Sequence, residues 1–571
     1  MKGATRLVLV AVGALLLGAI GLAIWEARQA EGLVVDAFSV PPAFAASGVT
    51  ADVLADDLTT RLAAIRDFAN DNSLARSKDV RQDRDQDIKV EIPDTGISLS
   101  QVWRYLRQWL GHERRLGGNL RDLGGNRIAL TAALDGDNAF TLSGRSDDLE
   151  GLEQQAAEQI FARVDPVNYV LYLRGKGRSG EGLAAVARLP LLATNPTELS
   201  EAYSLWANAV HYGTGDLALA GARARLAIQL DPKTAASHME FMGVASALGH
   251  DEDALVQARL IPGLRKEDEP VWRNSDGVAY VKELAAFNLD LLTGDFLHAL
   301  SRPCQYLCVG VASRSVDLQR AEYAARTHDI GRSRLLTGEA AAAGALDPVQ
   351  LPRARYFMNA AAADWVAAAV SARAYSAAIK ANRSAARLGE VEASTQAAPL
   401  LATALARGGD FAAAHRTIDA TPADCYPCLL ARGNIDALEK NWDAADSWFA
   451  RAVAVAPSIP FAHEDRGRSL LARARADDAI AQFTLANQKA PHFADALEGW
   501  GEALMAKNQS HLALAKFAEA EKYAPNWGRL HLKWGEALFY SGRKDEAKAQ
   551  FARAAKLDLT LTEKAEWRRV S

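Results

Sequence analysis

At 571 residues the chain has room for several domains, and its 49% apolar content is that of a folded protein. With 65 Lys and Arg against 70 Asp and Glu, the net charge is -5. That balance argues against a nucleic-acid binder, which is normally basic over at least one domain. Alanine runs such as "AAAAGAL" and "NAAAADWVAAAV" point to closely packed helices, because alanine is the best helix former and lets neighbours approach.

In chain order, Leu7 to Trp25 is a 19-residue stretch without a charge. Its length as a helix is roughly 28 Å, about one hydrocarbon core. Lys2 and Arg6 precede it and Glu26 follows. The expectation is an uncleaved signal anchor over 7–25, with residues 1–6 cytoplasmic and the bulk in the periplasm of a bacterium. A cleaved signal peptide is the alternative; no clean small-x-small site follows the apolar run.

Residues 33–175 alternate strand and helix patterns. "LVVDAFSVPPAF" reads as a strand and turn, "TADVLADDLTTRLAAIRDFA" as an amphipathic helix and "IKVEIPD" as a short strand. "SLSQVWRYLRQWLG" reads as a second helix, with Arg104, Arg107, Arg114 and Arg115 around it as a basic surface. "GGNLRDLGG", "NRIALTAALDG" and "NAFTLSGR" follow as an antiparallel meander, and "DDLEGLEQQAAEQIFARV" as a closing helix. The order βαβαβββα gives a small α/β domain. This pattern resembles the TolB amino-terminal-like domain. The resemblance implies an extracytoplasmic module of the kind that precedes tetratricopeptide repeats in some bacterial membrane-bound activators and cyclases. Those place an output domain before the membrane helix; only six residues precede Leu7 here, which favours partner binding over signalling. "GKGRSGEG", Gly175 to Gly182, reads as a linker, since it lacks the order of a phosphate-binding loop.

The C-terminal half carries a ruler. Pro457, Pro491 and Pro525 are spaced by 34 residues. In the register that starts at Tyr426, glycine recurs at Gly433, Gly467, Gly501 and Gly535, and phenylalanine at Phe449, Phe483, Phe517 and Phe551. Alanine recurs at Ala445, Ala479, Ala513 and Ala547, and again at Ala452, Ala486, Ala520 and Ala554. We expect glycine and the first alanine at the crossing of two antiparallel helices, with phenylalanine facing the next unit. Block 426–559 therefore resembles four tetratricopeptide repeats. Less regular hairpins are expected over 183–263, degenerate ones over 264–425 and a capping helix over 560–571. The fold class is mainly α: an α-solenoid of this type, preceded by the small α/β domain and one transmembrane helix.

The resemblance implies a concave groove lined by the first helix of each unit. Here it would hold Asn434, Phe461, Glu464, Arg468, Asp495, Glu498, Glu502, Met505, Arg529, Glu536 and Phe539. The family's carboxylate clamp does not match these positions; the third repeat instead offers an acidic lip suited to a basic or amphipathic segment. Cysteine occurs as Cys304 with Cys308 and Cys425 with Cys428. Local disulfides or inert thiols, a redox "CYPC" and a four-thiolate zinc site all remain open, the last opposed by distant repeats not touching in an elongated array. No P-loop, G-x-S-x-G or H-E-x-x-H occurs. The expected function is a membrane-anchored periplasmic scaffold for envelope proteins or peptides, not an enzyme, with no cofactor, nucleic acid or small-molecule substrate. The alternatives are an extracytoplasmic sensory subunit and, remotely, a thiol–disulfide enzyme using Cys425 and Cys428.

Overall fold

A computed structural model describes residue 25 and residues 31–71, 80–82, 112–135, 137–264, 277–305, 312–342 and 347–570. The chain divides into two compact units, Met1–Leu189 and Pro190–Ser571. The expected anchor over 7–25 lies outside the described residues except for Trp25. Among the described residues no helix is long and apolar enough to cross a membrane.

The first unit is built on a five-stranded sheet. Its strands are β1 (Glu31–Val35), β2 (Val80–Gln82), β3 (His112–Gly124), β4 (Arg127–Leu134) and β5 (Phe140–Arg145), in the order β2-β1-β3-β4-β5. β1 pairs parallel with β2 and β3, whereas β3, β4 and β5 form an antiparallel meander. The β3–β4 turn runs through Gly124, Gly125 and Asn126, all at positive φ, a conformation that glycine and asparagine tolerate best. Helices Ala51–Asp71 and Leu149–Val164 bury Leu54, Leu58, Leu62, Leu152, Ile160 and Phe161 against Leu33, Leu116, Ile128 and Leu130 of the sheet. Two expectations are corrected. Arg114 and Arg115 belong to strand β3, where they pair with Asp137 and Asp36, so they are no part of a free basic helix; Arg104 and Arg107 lie outside the described residues. The glycine-rich 175–182 segment is no open linker: Ser179–Val186 is a helix, and Arg178 bridges Glu158 and Glu181.

The second unit is a stack of antiparallel helix pairs. Hairpins 1 to 4 are Pro196–Thr214 with Leu217–Leu230, Ala235–Leu248 with Asp251–Leu260, Gly277–Thr293 with Phe296–Ser301, and Ala312–Arg326 with Ile330–Ala342. Hairpin 5 is Gln350–Ala361 with Trp365–Asn382. Hairpin 6 joins Ala386–Arg407, a helix with one π turn at Ala393–Ala397, to Phe411–Asp419. Hairpins 7 to 10 are Tyr426–Leu438 with Trp442–Val455, Phe461–Ala472 with Ala476–Lys489, Ala494–Ala506 with Ser510–Glu521, and Gly528–Tyr540 with Lys544–Ala555. The fold of this unit is thus a tetratricopeptide-type solenoid, regular over hairpins 7 to 10. Helix Leu561–Val570 closes it through a reciprocal Thr560–Glu563 capping box and a bond from Trp567 Nε1 to the Phe551 carbonyl of 3.0 Å.

The packing of the repeat differs from the expectation at one point. A Cβ built on Gly433, Gly467, Gly501 or Gly535 would strike the ring of Phe449, Phe483, Phe517 or Phe551 of its own hairpin. The glycine therefore makes room for the phenylalanine, which fills its own hairpin before it meets the next. Phe483 also lies against Gly499 of the following one.

A larger correction concerns the array itself, which is not elongated. Hairpin 1 meets hairpin 6, where the Ser384 hydroxyl just before it donates to the Tyr212 carbonyl and Gly215 lies against Leu388. Hairpin 2 meets hairpin 7, where the Tyr426 amide donates to the Gly249 carbonyl at 2.8 Å. Hairpin 3 meets hairpin 8 through stacked Phe296 and Phe461. Hairpin 4 meets hairpin 9 through His328 and Asp495, 3.0 Å apart, and His328 also stacks on Trp527 at 3.7 Å. His250–Asp424 and His492–Asp295 add two more such pairs. Successive turns of the coil therefore pack on one another, and distant repeats do touch.

Candidate functional site

Because the coil closes so tightly, the inner faces of hairpins 2 to 8 converge on one cavity of about 550 Å³. That volume falls in the range of ligand sites. The wall owes its geometry to helical spacing: Gln319, Glu322, Tyr323 and Arg326 repeat at three and four residues, as do Gln396, Pro399, Leu400 and Thr403. The π turn widens the hairpin 6 helix where Thr395 and Gln396 reach the wall. Thr395 Oγ1 donates to the Ala247 carbonyl at 2.8 Å, and Gln396 Oε1 accepts from the Tyr375 hydroxyl at 2.9 Å.

Charge is distributed unevenly around this wall. Glu322 takes Arg353 at 2.7 Å and Arg326 at 2.9 Å. Burial pushes the Glu322 carboxyl upward, but the two guanidinium groups outweigh it and hold the carboxyl below its usual range. Arg326 also lies 4.0 Å over the Phe357 ring. Asp251, Glu464 and Asp465 also line the cavity. Burial raises Asp251 to about 6, against the opposing pull of His250 and Arg353. Asp465 accepts from Asn434 Nδ2 at 2.9 Å. Burial, and next the neighbouring Glu464, raise Asp465 to about 7, while Asn434, Arg407 and Arg468 oppose the shift.

Three of the expected groove residues, Asn434, Phe461 and Glu464, line this cavity. The others are arranged differently from the expectation of an acidic lip. Glu498 is fully buried and accepts from Arg468 at 3.2 Å and from Arg529 at 3.1 Å. Arg468 also pairs with Glu464, and Arg529 with Glu502. Lys533 holds Glu536 at 3.2 Å and Glu566 at 2.5 Å. Asp495 is taken by His328. These residues form an internal ladder of ion pairs along hairpins 8 to 10, with His328 of hairpin 4 and Glu566 of the closing helix, in which each carboxylate has a partner within the chain. Burial drives Glu498 well up, with Glu502 reinforcing it; Glu502 is held down near 2 despite its burial by Glu498, Arg529, Arg468 and Lys533. Met505 packs beside the apolar cluster around Phe517, and Phe539 stays exposed on the last hairpin.

Cys425 and Cys428 are joined as a disulfide, both residues at 0% exposure, in the seam where hairpin 2 touches hairpin 7. Bonded sulfurs are not thiolate ligands, and at that depth no external thiolate reaches them. The four-thiolate zinc site is thereby corrected to a disulfide bridge, which is also the oxidised form of an exchange-active "CYPC". Cys304 packs with Phe287, Phe296 and Phe493; Cys308 lies outside the described residues.

The residues that sequence analysis missed are those of hairpins 2 to 6, the last four in the stretch without a repeat ruler, together with Tyr426 and Asp465 on hairpins 7 and 8. One signal was present: polar residues at three- and four-residue spacing on otherwise alanine-rich helices, as in "QRAEYAAR" and "QAAPLLAT".

No protein-family model matches the chain, and no curated protein matches it. Among solved structures it is similar to MamA AMB-1, with 21% identity and a TM-score of 0.24 over 28% of this chain and 95% of that one. It is also similar to YrrB, described as a TPR protein with an unusual peptide-binding site, with 14% identity and a TM-score of 0.24 over 31% of this chain and 92% of that one. The yeast Tom70 structure matches with 13% identity and a TM-score of 0.31 over 71% of this chain and 93% of that one. The repeat assignment rests on the 34-residue register and the hairpins of this chain itself.

Proposed function

We propose that this chain is a protein-interaction scaffold, anchored in a bacterial inner membrane through residues 7–25, with a TolB amino-terminal-like unit and its solenoid in the periplasm. Partner proteins or peptides of the envelope engage the inner face of the solenoid. The observation that carries this reading is the convergence of seven hairpins on one cavity with a mixed, mainly apolar lining, a surface suited to holding a segment of chain. The bridge between Cys425 and Cys428 supports an oxidising compartment.

The test is in-cell crosslinking through a C-terminal tag, comparing the wild type with the double variant Thr403→Trp, Leu430→Trp, which narrows the cavity, and with exposed Lys548→Glu as control. Partners captured by wild type and control but lost with the double variant meet the expectation. Capture unchanged by the narrowed cavity refutes the placement, and no reproducible partner refutes the scaffold. Release of the chain from membranes by alkaline wash would refute the anchor.

A further inference from the structure

The cavity holds two carboxylates that the ion-pair ladder leaves over. Glu322 and Glu464 each have arginine partners, but Asp251 has no hydrogen-bond partner among the described residues, and Asp465 has only the neutral Asn434 amide. Both carboxylates act on the same buried hydroxyl, that of Tyr426, which also accepts the Ala462 amide at 3.1 Å. Both line the same cavity, although they come from hairpins 2 and 8. Around them the lining is aromatic. Tyr323 and Tyr356 are 3% and 4% exposed, and among the described residues neither hydroxyl bonds to a protein group. Phe461 completes the wall.

Arg353 and His250 act on Asp251, and Arg407 and Arg468 on Asp465, only through space, and a carboxylate held away from bulk water is costly without a cation in direct contact. An organic cation meets the oxygens with its N–H groups while its alkyl stem packs on the half-buried Phe461 ring; Tyr323, stacked on Phe287, and Tyr356, packed against Phe357, turn only their hydroxyls to the cavity. Unbonded tyrosine hydroxyls supply acceptors for the remaining N–H groups. A bare metal ion would not use the aromatic wall.

We propose that the central cavity is a site for a guanidinium or alkylammonium group, presented by an arginine or lysine side chain of the bound partner, with Asp251 and Asp465 as counter-charges, the Tyr323 and Tyr356 hydroxyls as acceptors and Phe461 as the wall. This rests on the reading of the inner face as the partner-binding surface and specifies what that surface selects.

The test is calorimetric titration of the full chain at pH 8 with a short capped peptide containing one arginine, against the same peptide with citrulline, equal in shape but uncharged. Saturable binding of the arginine peptide, and at least about tenfold weaker binding of the citrulline peptide, is the expected result. Asp251→Asn with Asp465→Asn should weaken the arginine peptide by a similar factor, with a cooperative melt at or above the wild-type temperature showing that the variant folds. Equal binding of the two peptides, or no binding of either by the wild type, overturns the proposal without relying on any variant. Free agmatine binding while the arginine peptide is excluded overturns the side-chain source, and calcium binding in place of both overturns the chemistry. Partners captured in cells by a wild type that ignores the arginine peptide would remove the cation site and leave the scaffold. Arginine selectivity in a chain that captures no partner would do the reverse.

Discussion

Gly501→Ala adds one methyl group at a helix crossing. The new Cβ would lie 2.5 Å from Cε1, 2.7 Å from Cζ and 2.9 Å from Cδ1 of Phe517. That ring is fully buried, among Leu497, Leu504, Leu530 and Trp527, so it cannot swing aside without displacing them. Overpacking of this kind costs about 1–3 kcal/mol, and three clashes on an immobile ring place it at the upper end. Alanine returns about 1 kcal/mol through helix propensity, leaving a net loss of roughly 2 kcal/mol. Gly338→Ala is the matched control: it sits in helix Ile330–Ala342 with no atom within 4 Å of its Cβ, so it should gain about 1 kcal/mol. Urea midpoints give the global shift. Amide exchange over 494–521 gives the local one, which matters because repeat arrays unfold in segments. Phe517→Leu should relieve the clash in a double variant, with a coupling above about 0.5 kcal/mol. A Gly501→Ala chain as stable as the wild type, or shifting in the same direction as Gly338→Ala, would refute the packing described for the repeat.

Three further outcomes are expected. Arg529→Ala takes a cationic partner from both Glu498 and Glu502 and should cost about 3–5 kcal/mol in urea unfolding, part of it recovered by adding Glu498→Gln; independent, additive effects would show that the ladder is not coupled. Asp465→Asn should stabilise the chain increasingly with pH: a carboxyl raised in the folded state gives its full stability below the unfolded value of about 4 and loses it as pH rises through the folded one near 7. The gain should therefore grow between those values and level off above, and a flat difference across that window in pH-dependent melts would contradict the assignment. Mass-spectrometric thiol labelling under mild reductant should find Cys425 and Cys428 blocked in the native chain and reactive only after denaturation; rapid native labelling would reopen thiol exchange.

How far the sequence carried can be judged from particular residues. Hairpins 7 to 10 were legible because Gly433 and Phe449, or Gly501 and Phe517, satisfy each other within one unit, so selection of one residue type appears at one spacing. The closing meander of the first unit was legible from turn residues, but the long β3 was not: "HERR" continues a helical pattern, and its pairing with β1 comes from a segment 79 residues earlier, as Asp36 with Arg115 shows. The candidate site was legible only at Asn434, Phe461 and Glu464. Its other half lies on hairpins 2 to 6, where alanine-rich helices blur the register.

The sequence by itself determined the mainly helical class, the repeat length and the hairpin, since each depends on contacts within 34 residues. Only the tertiary structure decided that the array coils back on itself, because that closure accumulates from small angles between hairpins and is locked by contacts such as His328 with Asp495, 167 residues apart. Pairing between neighbouring hairpins turned an expected open acidic groove into a buried ladder of ion pairs, to which the closure added His328 on Asp495. The closure also gathered Asp251 and Asp465, from hairpins 2 and 8, around a single cavity. Charge is written in the sequence, but whether a charge faces water, an arginine or an empty chamber depends on which distant helix packs beside it.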